Sequence, residues 1–157
     1  MAKFKFQLES VEEVKLQKEQ KMLEELSTAQ RDYLSKINAK KELLAKKQVA
    51  FAEKNELLSR DASINEIRLS EDHIVGINVK IQKADQAIVR SRRFLDQAMR
   101  NYINSRKERM MMDRLREKAF EEFKIEQSRL EQRKLDDLIT MRARLNHGPI
   151  DSEEEIA

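Results

Sequence analysis

From residue 1 to residue 147 the chain holds a single glycine, Gly76, and no proline, so almost nothing stops a helix once it has begun. Its other two helix breakers, Gly148 and Pro149, stand together just before an acidic run. A 157-residue chain so poor in turn residues reads as long, uninterrupted helix. Apolar residues make up 39% with no Trp, too little for a thick globular core but enough for a narrow seam between helices. The absence of Cys excludes disulfides and thiolate metal sites, which is compatible with a reducing cytoplasm. No apolar run approaches the ~18 residues of a membrane span, and no apolar segment of a secretory signal follows Met1. The expectation is a soluble chain without direct membrane insertion.

The apolar residues are phased for coiled coil. One row, Leu16, Leu23, Gln30, Ile37, Leu44, Phe51 and Leu58, repeats every seven positions and is read as the seam of a first helix. Leu8, Met22, Ala29, Leu43, Ala50 and Leu57 widen it from one position earlier. Leu26 and Tyr33 fill complementary slots, followed there by Lys40, Lys47 and Lys54, whose methylenes can lie on the seam while the ammonium reaches out. A second row, Ile67, Ile74, Ile81, Ile88, Leu95 and Tyr102, is supported by Ile77, Ala84, Ala98 and Met112 in the alternate slots. Two seams imply two packed helices. The expected fold is all-α, a long two-helix antiparallel coiled-coil hairpin.

Between the seams, Ser63 and Glu66 match the S-x-x-E capping box of a helix start. This places helix one at about residues 4–60, the turn at 60–63 and helix two at about 64–145, in one hairpin domain spanning 1–147. Gly76 is the rival turn, but it sits inside the second seam with no cap beside it. Folding about residue 62 brings the first residues opposite position 119, so the arms are unequal and helix two ends in a C-terminal overhang. That overhang carries Phe120, Phe123, Leu130, Leu138, Met141 and Leu145 at helical spacing, an apolar stripe for a partner or a second copy to cover. Residues 148–157, with two helix breakers and the run Glu153-Glu154-Glu155, read as a disordered acidic tail.

Net charge is only +3, but its distribution is uneven. Residues 80–116 carry eleven basic and four acidic side chains, whereas residues 117–157 carry seven basic and eleven acidic. Within the basic part, Arg93, Arg100, Lys107 and Arg114 repeat every seven residues on the face opposite the seam. A solvated face is the ordinary use of such a row, and an acidic partner is the sharper one. Nucleic acid fits poorly, since stacking aromatics are missing from the stripe. His73 and His147 lie far apart with no second ligand at metal spacing, and two glycines cannot build a phosphate loop. Neither catalysis nor a cofactor is expected.

Four stretches carry a resemblance. Met1-Ala-Lys-Phe-Lys-Phe-Gln-Leu-Glu9, the turn-proximal Ala62 to Ile81, and Met112-Asp-Arg-Leu-Arg-Glu-Lys118 with Glu121-Glu-Phe123 are similar to the flagellar FliJ proteins, as is Glu131-Gln-Arg-Lys-Leu-Asp136-Asp137. Where that family often has aromatic residues after the turn, this chain has Ser70 and His73. The resemblance implies a non-enzymatic, cytoplasmic component of the type III export apparatus, peripheral at the membrane base of the flagellum. It implies a hairpin like the central stalk of rotary ATPases, binding the hexameric export ATPase, the export-gate membrane protein and export chaperones. Phe4, Phe6, Leu115, Lys118, Phe123, Leu130, Glu131 and Asp136 are then the expected ATPase-facing end. A coiled-coil scaffold or homodimer, or the equivalent stalk of a virulence-type secretion system, is the alternative.

Overall fold

A computed structural model describes residues 3–146 and Gly148. It is all-α: helix α1, Glu9–Ser59, and helix α2, Ile64–Asn146, pack against each other as a hairpin, with no strand among the described residues. Contacts divide the chain into two compact units, Glu13–Arg109 and the residues up to Glu12 together with those from Met110 onward.

In the Glu13–Arg109 unit, pairing partners fall along α1 as they rise along α2, which defines an antiparallel register. Lys54 pairs with Glu71 at 3.0 Å, Lys40 with Asp85 at 2.6 Å, and Lys15 with Glu108 at 2.9 Å. Ser91 Oγ donates to Asp32 Oδ2 at 2.8 Å, and Arg109 is ion-paired with Glu19. The seam of α2 runs where its branched residues place it: Ile67, Ile81, Ile88, Leu95 and Tyr102 are half-buried and Ile74 is buried. Its second row contains Ile77 with a run of small residues, Ser70, Ala84, Ser91, Ala98 and Ser105. Ser91 and Ser105 are the buried polar residues, 3% and 1% exposed.

The seam of α1 lies one position away from the row that spacing alone selects. Leu16, Leu23, Leu44, Phe51 and Leu58 are exposed, from 41% at Leu44 to 55% at Leu16, and Gln30 is exposed too; only Ile37 of that row is half-buried. The residues turned to α2 are Met22, Leu26, Ala29, Leu43, Ala50 and Leu57, joined by Glu19, Tyr33, Lys40, Lys47 and Lys54. The small row of α2 explains the difference. A serine or alanine leaves room for a long stem to lie across it, so Lys40 and Lys54 bury their methylenes and deliver their ammonium groups to Asp85 and Glu71. With the leucine row facing inward those ion pairs would be lost. The best-packed part of the seam is Ala50 against Ile74 and Ile77, with Ile81 beside them.

The reversal between the helices satisfies its backbone locally. Asp61 adopts φ 50°, the left-handed conformation usual for a helix C-terminal residue, and Ala62 N–H reaches back to the Leu57 carbonyl at 3.2 Å. Ser63 then opens α2: its backbone N–H donates to Glu66 Oε2 at 2.9 Å, while Glu66 N–H donates to Ser63 Oγ at 3.4 Å. Gly76 lies within α2, exposed, with nothing within 4 Å of where a Cβ would sit.

In the other unit, helix α1 begins at Glu9 rather than near residue 4. Two rings two positions apart point about 200° apart around a helix, so a helical Phe4 and Phe6 could not both face α2. Outside the helix both do: Phe6 is 6% exposed and Phe4 packs on Phe120 and Phe123. Glu9 and Glu12 in the first turn of α1 favour its N-terminal dipole end. Arg116 pairs with Glu12 at 2.8 Å, and Met112 is 8% exposed. From residue 124 to residue 146 every side chain of α2 is exposed except the half-buried Gln127. The acidic tail and His147 lie outside the described residues, apart from Gly148.

Two outcomes test this architecture. Gly76→Ala should stabilise the protein by about 0.5–1 kcal/mol in urea unfolding, since a methyl there meets open space and Gly costs helical entropy; a loss of stability would contradict the placement of Gly76 within α2. The second concerns acid. The Glu66 carboxyl is held below its ordinary range by the Ser63 backbone N–H and then the Ser63 hydroxyl, and the Glu108 carboxyl by hydrogen bonds from Lys15 and then Lys18. Both groups are more acidic folded than unfolded. Their stabilisation is therefore full above the ordinary carboxylate value of about 4.3 and is lost as pH falls through the lower folded values. Helicity followed by circular dichroism should decline over that range, and Glu66→Gln with Glu108→Gln should flatten the decline.

Candidate partner-binding site

The end built from the N-terminal segment and the later part of α2 gathers most of the residues that the sequence nominates. Phe4 is the centre. Its ring meets Phe120 edge-on at 5.1 Å between centroids and an interplanar angle of 70°, and Phe123 at 5.5 Å and 56°. Edge-to-face contact of this kind adds about 0.5–1.5 kcal/mol to simple area burial. Lys124 places its ammonium over the Phe120 ring at 4.5 Å, a cation–π contact on the outer side.

Phe4, Phe6, Leu115, Lys118 and Phe123 line one groove, with Glu122 and Glu126 at its edge. Leu130 stands in a neighbouring shallow groove that shares those two glutamates and adds Ile125, Arg129 and Arg133. Glu131 and Asp136 are not brought to either groove; both are exposed further along α2, where the Asp136 carbonyl accepts a hydrogen bond from Thr140 Oγ1 at 2.8 Å. The nominated set therefore divides. Phe6 is committed to an internal contact, Phe4 holds the N-terminal segment to α2, and Leu115 and Lys118 are exposed, as is the neighbouring Phe120.

Beyond the aromatic cluster the helix continues without a covering among the described residues. Ile125, Leu130, Leu135, Leu138, Ile139, Met141 and Leu145 are 41–82% exposed. Leu130, Leu138, Met141 and Leu145 recur at helical spacing and extend the stripe of Phe120 and Phe123, which is the pattern an incoming apolar surface requires. Phe120, part of the apolar stripe that helical spacing marks, and Lys124 complete the aromatic cluster.

The outer basic residues also take the positions their spacing implies. Arg93, Arg100 and Lys107 are exposed in the Glu13–Arg109 unit, and Arg114 is exposed in the other. Ser70 is half-buried in the seam and His73 exposed, so the departure after the turn leaves no aromatic surface at those positions. Among the described residues no group of acidic, His or Cys side chains is arranged to hold a metal ion, and no helix is long and apolar enough to cross a membrane.

Phe4→Ala removes the centre of the cluster and should cost about 1–2 kcal/mol, less than a full core truncation because the ring is only half-buried. Trypsin cleavage at Lys3 and Lys5 should accelerate in the variant while cleavage within Glu13–Arg109 stays unchanged; equal rates at Lys3 and Lys5 would mean that the rings do not hold this segment.

A family profile described as flagellar FliJ protein matches residues 4–148. No curated protein and no solved structure matches the chain. The profile covers both helices, the turn between them and the aromatic cluster. The chain thus belongs to the flagellar FliJ protein family, whose members are components of the flagellar export apparatus.

Proposed function

We propose that this protein is a non-enzymatic stalk of the flagellar type III export apparatus, which inserts its helical end into the hexameric export ATPase. Through that contact it regulates the ATPase and couples it to the export-gate membrane protein and to export chaperones, working in the cytoplasm at the membrane base of the flagellum. The observation that carries this reading is the uncovered segment of α2 from residue 124 to 146, an exposed helix with an apolar stripe next to a fixed aromatic base. A ring accepts a helix of this kind because its subunits can close around all sides of it. Family membership supports the export role.

The test uses purified export ATPase with the full chain, with a form truncated after Lys124, and with Leu130→Glu/Leu138→Glu. The full chain should stimulate hydrolysis and promote ring assembly. Truncation after Lys124 keeps Phe120 and Phe123 for Phe4, so helicity of the rest should persist while stimulation is lost. The double variant should fall at least tenfold in affinity, as expected when two buried apolar anchors become charges. Unchanged stimulation by the truncated form would overturn the proposal. A stable homodimer in sedimentation, with no effect on hydrolysis, would replace it with a scaffold in which the stripe covers its own copy.

A further inference from the structure

The outward face of α2 between Lys83 and Lys107 is chemically uniform in a way the rest of the surface is not. Reading its two outermost rows in order gives Lys83, Gln86, Arg90, Arg93, Gln97, Arg100, Asn104 and Lys107: five cations, three amides and no carboxylate. All eight are exposed. Two acidic residues occur in this stretch, Asp85 and Asp96, and both are occupied, Asp85 by Lys40 at 2.6 Å and Asp96 by Arg92 at 3.4 Å. Among the described residues no carboxylate pairs with Lys83, Arg90, Arg93, Arg100 or Lys107. Arg90 donates to the Gln86 carbonyl at 3.4 Å and Arg100 to Gln97 Oε1 at 3.1 Å, contacts that leave the charges unneutralised.

Five other cations of this unit are placed otherwise. Lys15, Lys18, Lys40, Lys54 and Arg109 all point to acids across the seam. The corresponding outer rows of α1 alternate sign, with Lys21 and Arg31 interrupted by Glu24, Glu42 and Glu56. The accumulation on α2 is therefore a one-sided feature, beyond what solubility needs. The row stands on a single helix over about 36 Å at 1.5 Å per residue. Large apolar side chains flank it on both sides at the same level: Val89, 52% exposed, and Phe94, 73% exposed. A row of cations and amides with exposed apolar groups beside it offers only a shallow, open groove, lined by Asp85, Gln86, Val89, Arg90 and Arg93. A flat anionic sheet with an apolar layer beneath it meets all of these groups together.

We propose that this face of α2 binds peripherally to the anionic surface of a phospholipid bilayer, its arginines and lysines on the headgroups and Phe94 at the apolar boundary. The contact is separate from the apolar end discussed above, and it requires no span of the membrane.

The full chain is mixed with vesicles of phosphatidylcholine alone or with about 30 mol % phosphatidylglycerol, and the bound fraction is read by flotation. Binding to the anionic vesicles only, weakening as salt is raised, is the expected result. Each cation near such a surface is worth about fivefold in partitioning, so Arg93→Gln/Arg100→Gln/Lys107→Gln should bind about 100-fold more weakly. Lys21→Gln/Arg31→Gln/Lys41→Gln, which removes the same charge from α1, should bind as the unmodified chain does. Phe94→Ala should weaken vesicle binding with no change in charge, and circular dichroism verifies that each variant is folded. Equal binding to neutral vesicles, equal loss in both triple variants, or no binding at all would overturn the proposal. So would tighter binding to a DNA duplex or to polyglutamate than to the anionic vesicles, since either would assign the face to another polyanion.

Discussion

The packing of long side chains across small ones is the constraint on which the hairpin depends. Helix α2 offers a row of Ser70, Ala84, Ser91, Ala98 and Ser105, and α1 answers with lysine stems, Tyr33 and the carboxylate of Asp32. Neither row would form a seam against a copy of itself: small against small leaves voids, and lysine against lysine repels. Burial in this seam is thin, with Leu26, Ala50, Ile74 and Ile77 its buried apolar residues. Exposed ion pairs add about 0–1 kcal/mol each, so they hold register more than they supply stability. The serines contribute in the same sense. Ser91 is satisfied by Asp32 on the opposite helix, whereas Ser105 donates to the Tyr102 carbonyl of its own helix at 2.8 Å, and no buried side-chain polar atom among the described residues lacks a partner.

Around this seam the chain places two kinds of surface that packing does not consume. One is the apolar stripe of α2 beyond the aromatic cluster, and the other is the ridge of cations from Lys83 to Lys107. A two-helix fold has little interior, so a large share of its side chains is available for partners.

The rows of α2 were legible because isoleucine and leucine recur there without competition, and the turn because Ser63 and Glu66 form a local motif whose geometry needs no tertiary knowledge. On α1 the same rule misled. It favours the row with most leucine, while the facing row was set by lysines whose stems count as polar in any sequence pattern yet pack as hydrocarbon. Buried Ser91 and Ser105 escaped for a related reason, since a hydroxyl conceals that the slot demands a small residue. The start of α1 falls at Glu9 and not near residue 4 because a helix there would set Phe4 and Phe6 about 200° apart, whereas both pack toward α2. Of the nominated site, Phe4, Phe6, Leu115, Lys118 and Phe123 converge because the N-terminal segment packs on this part of α2; Glu131 and Asp136 have nothing opposite them among the described residues.

The exposed row of Leu16, Leu23, Leu44, Phe51 and Leu58 gives α1 two packable faces about 100° apart. One is chosen by charge and small-residue fit, the other would be chosen by oiliness alone. In most coiled coils the same residues decide both whether the helices associate and which way they face. Here those decisions are divided, and the orientation of α1 about its own axis rests in part on ion pairs that dissolved ions can screen. Facing is thereby a property of charge and side-chain size in this molecule, while association is a hydrophobic one.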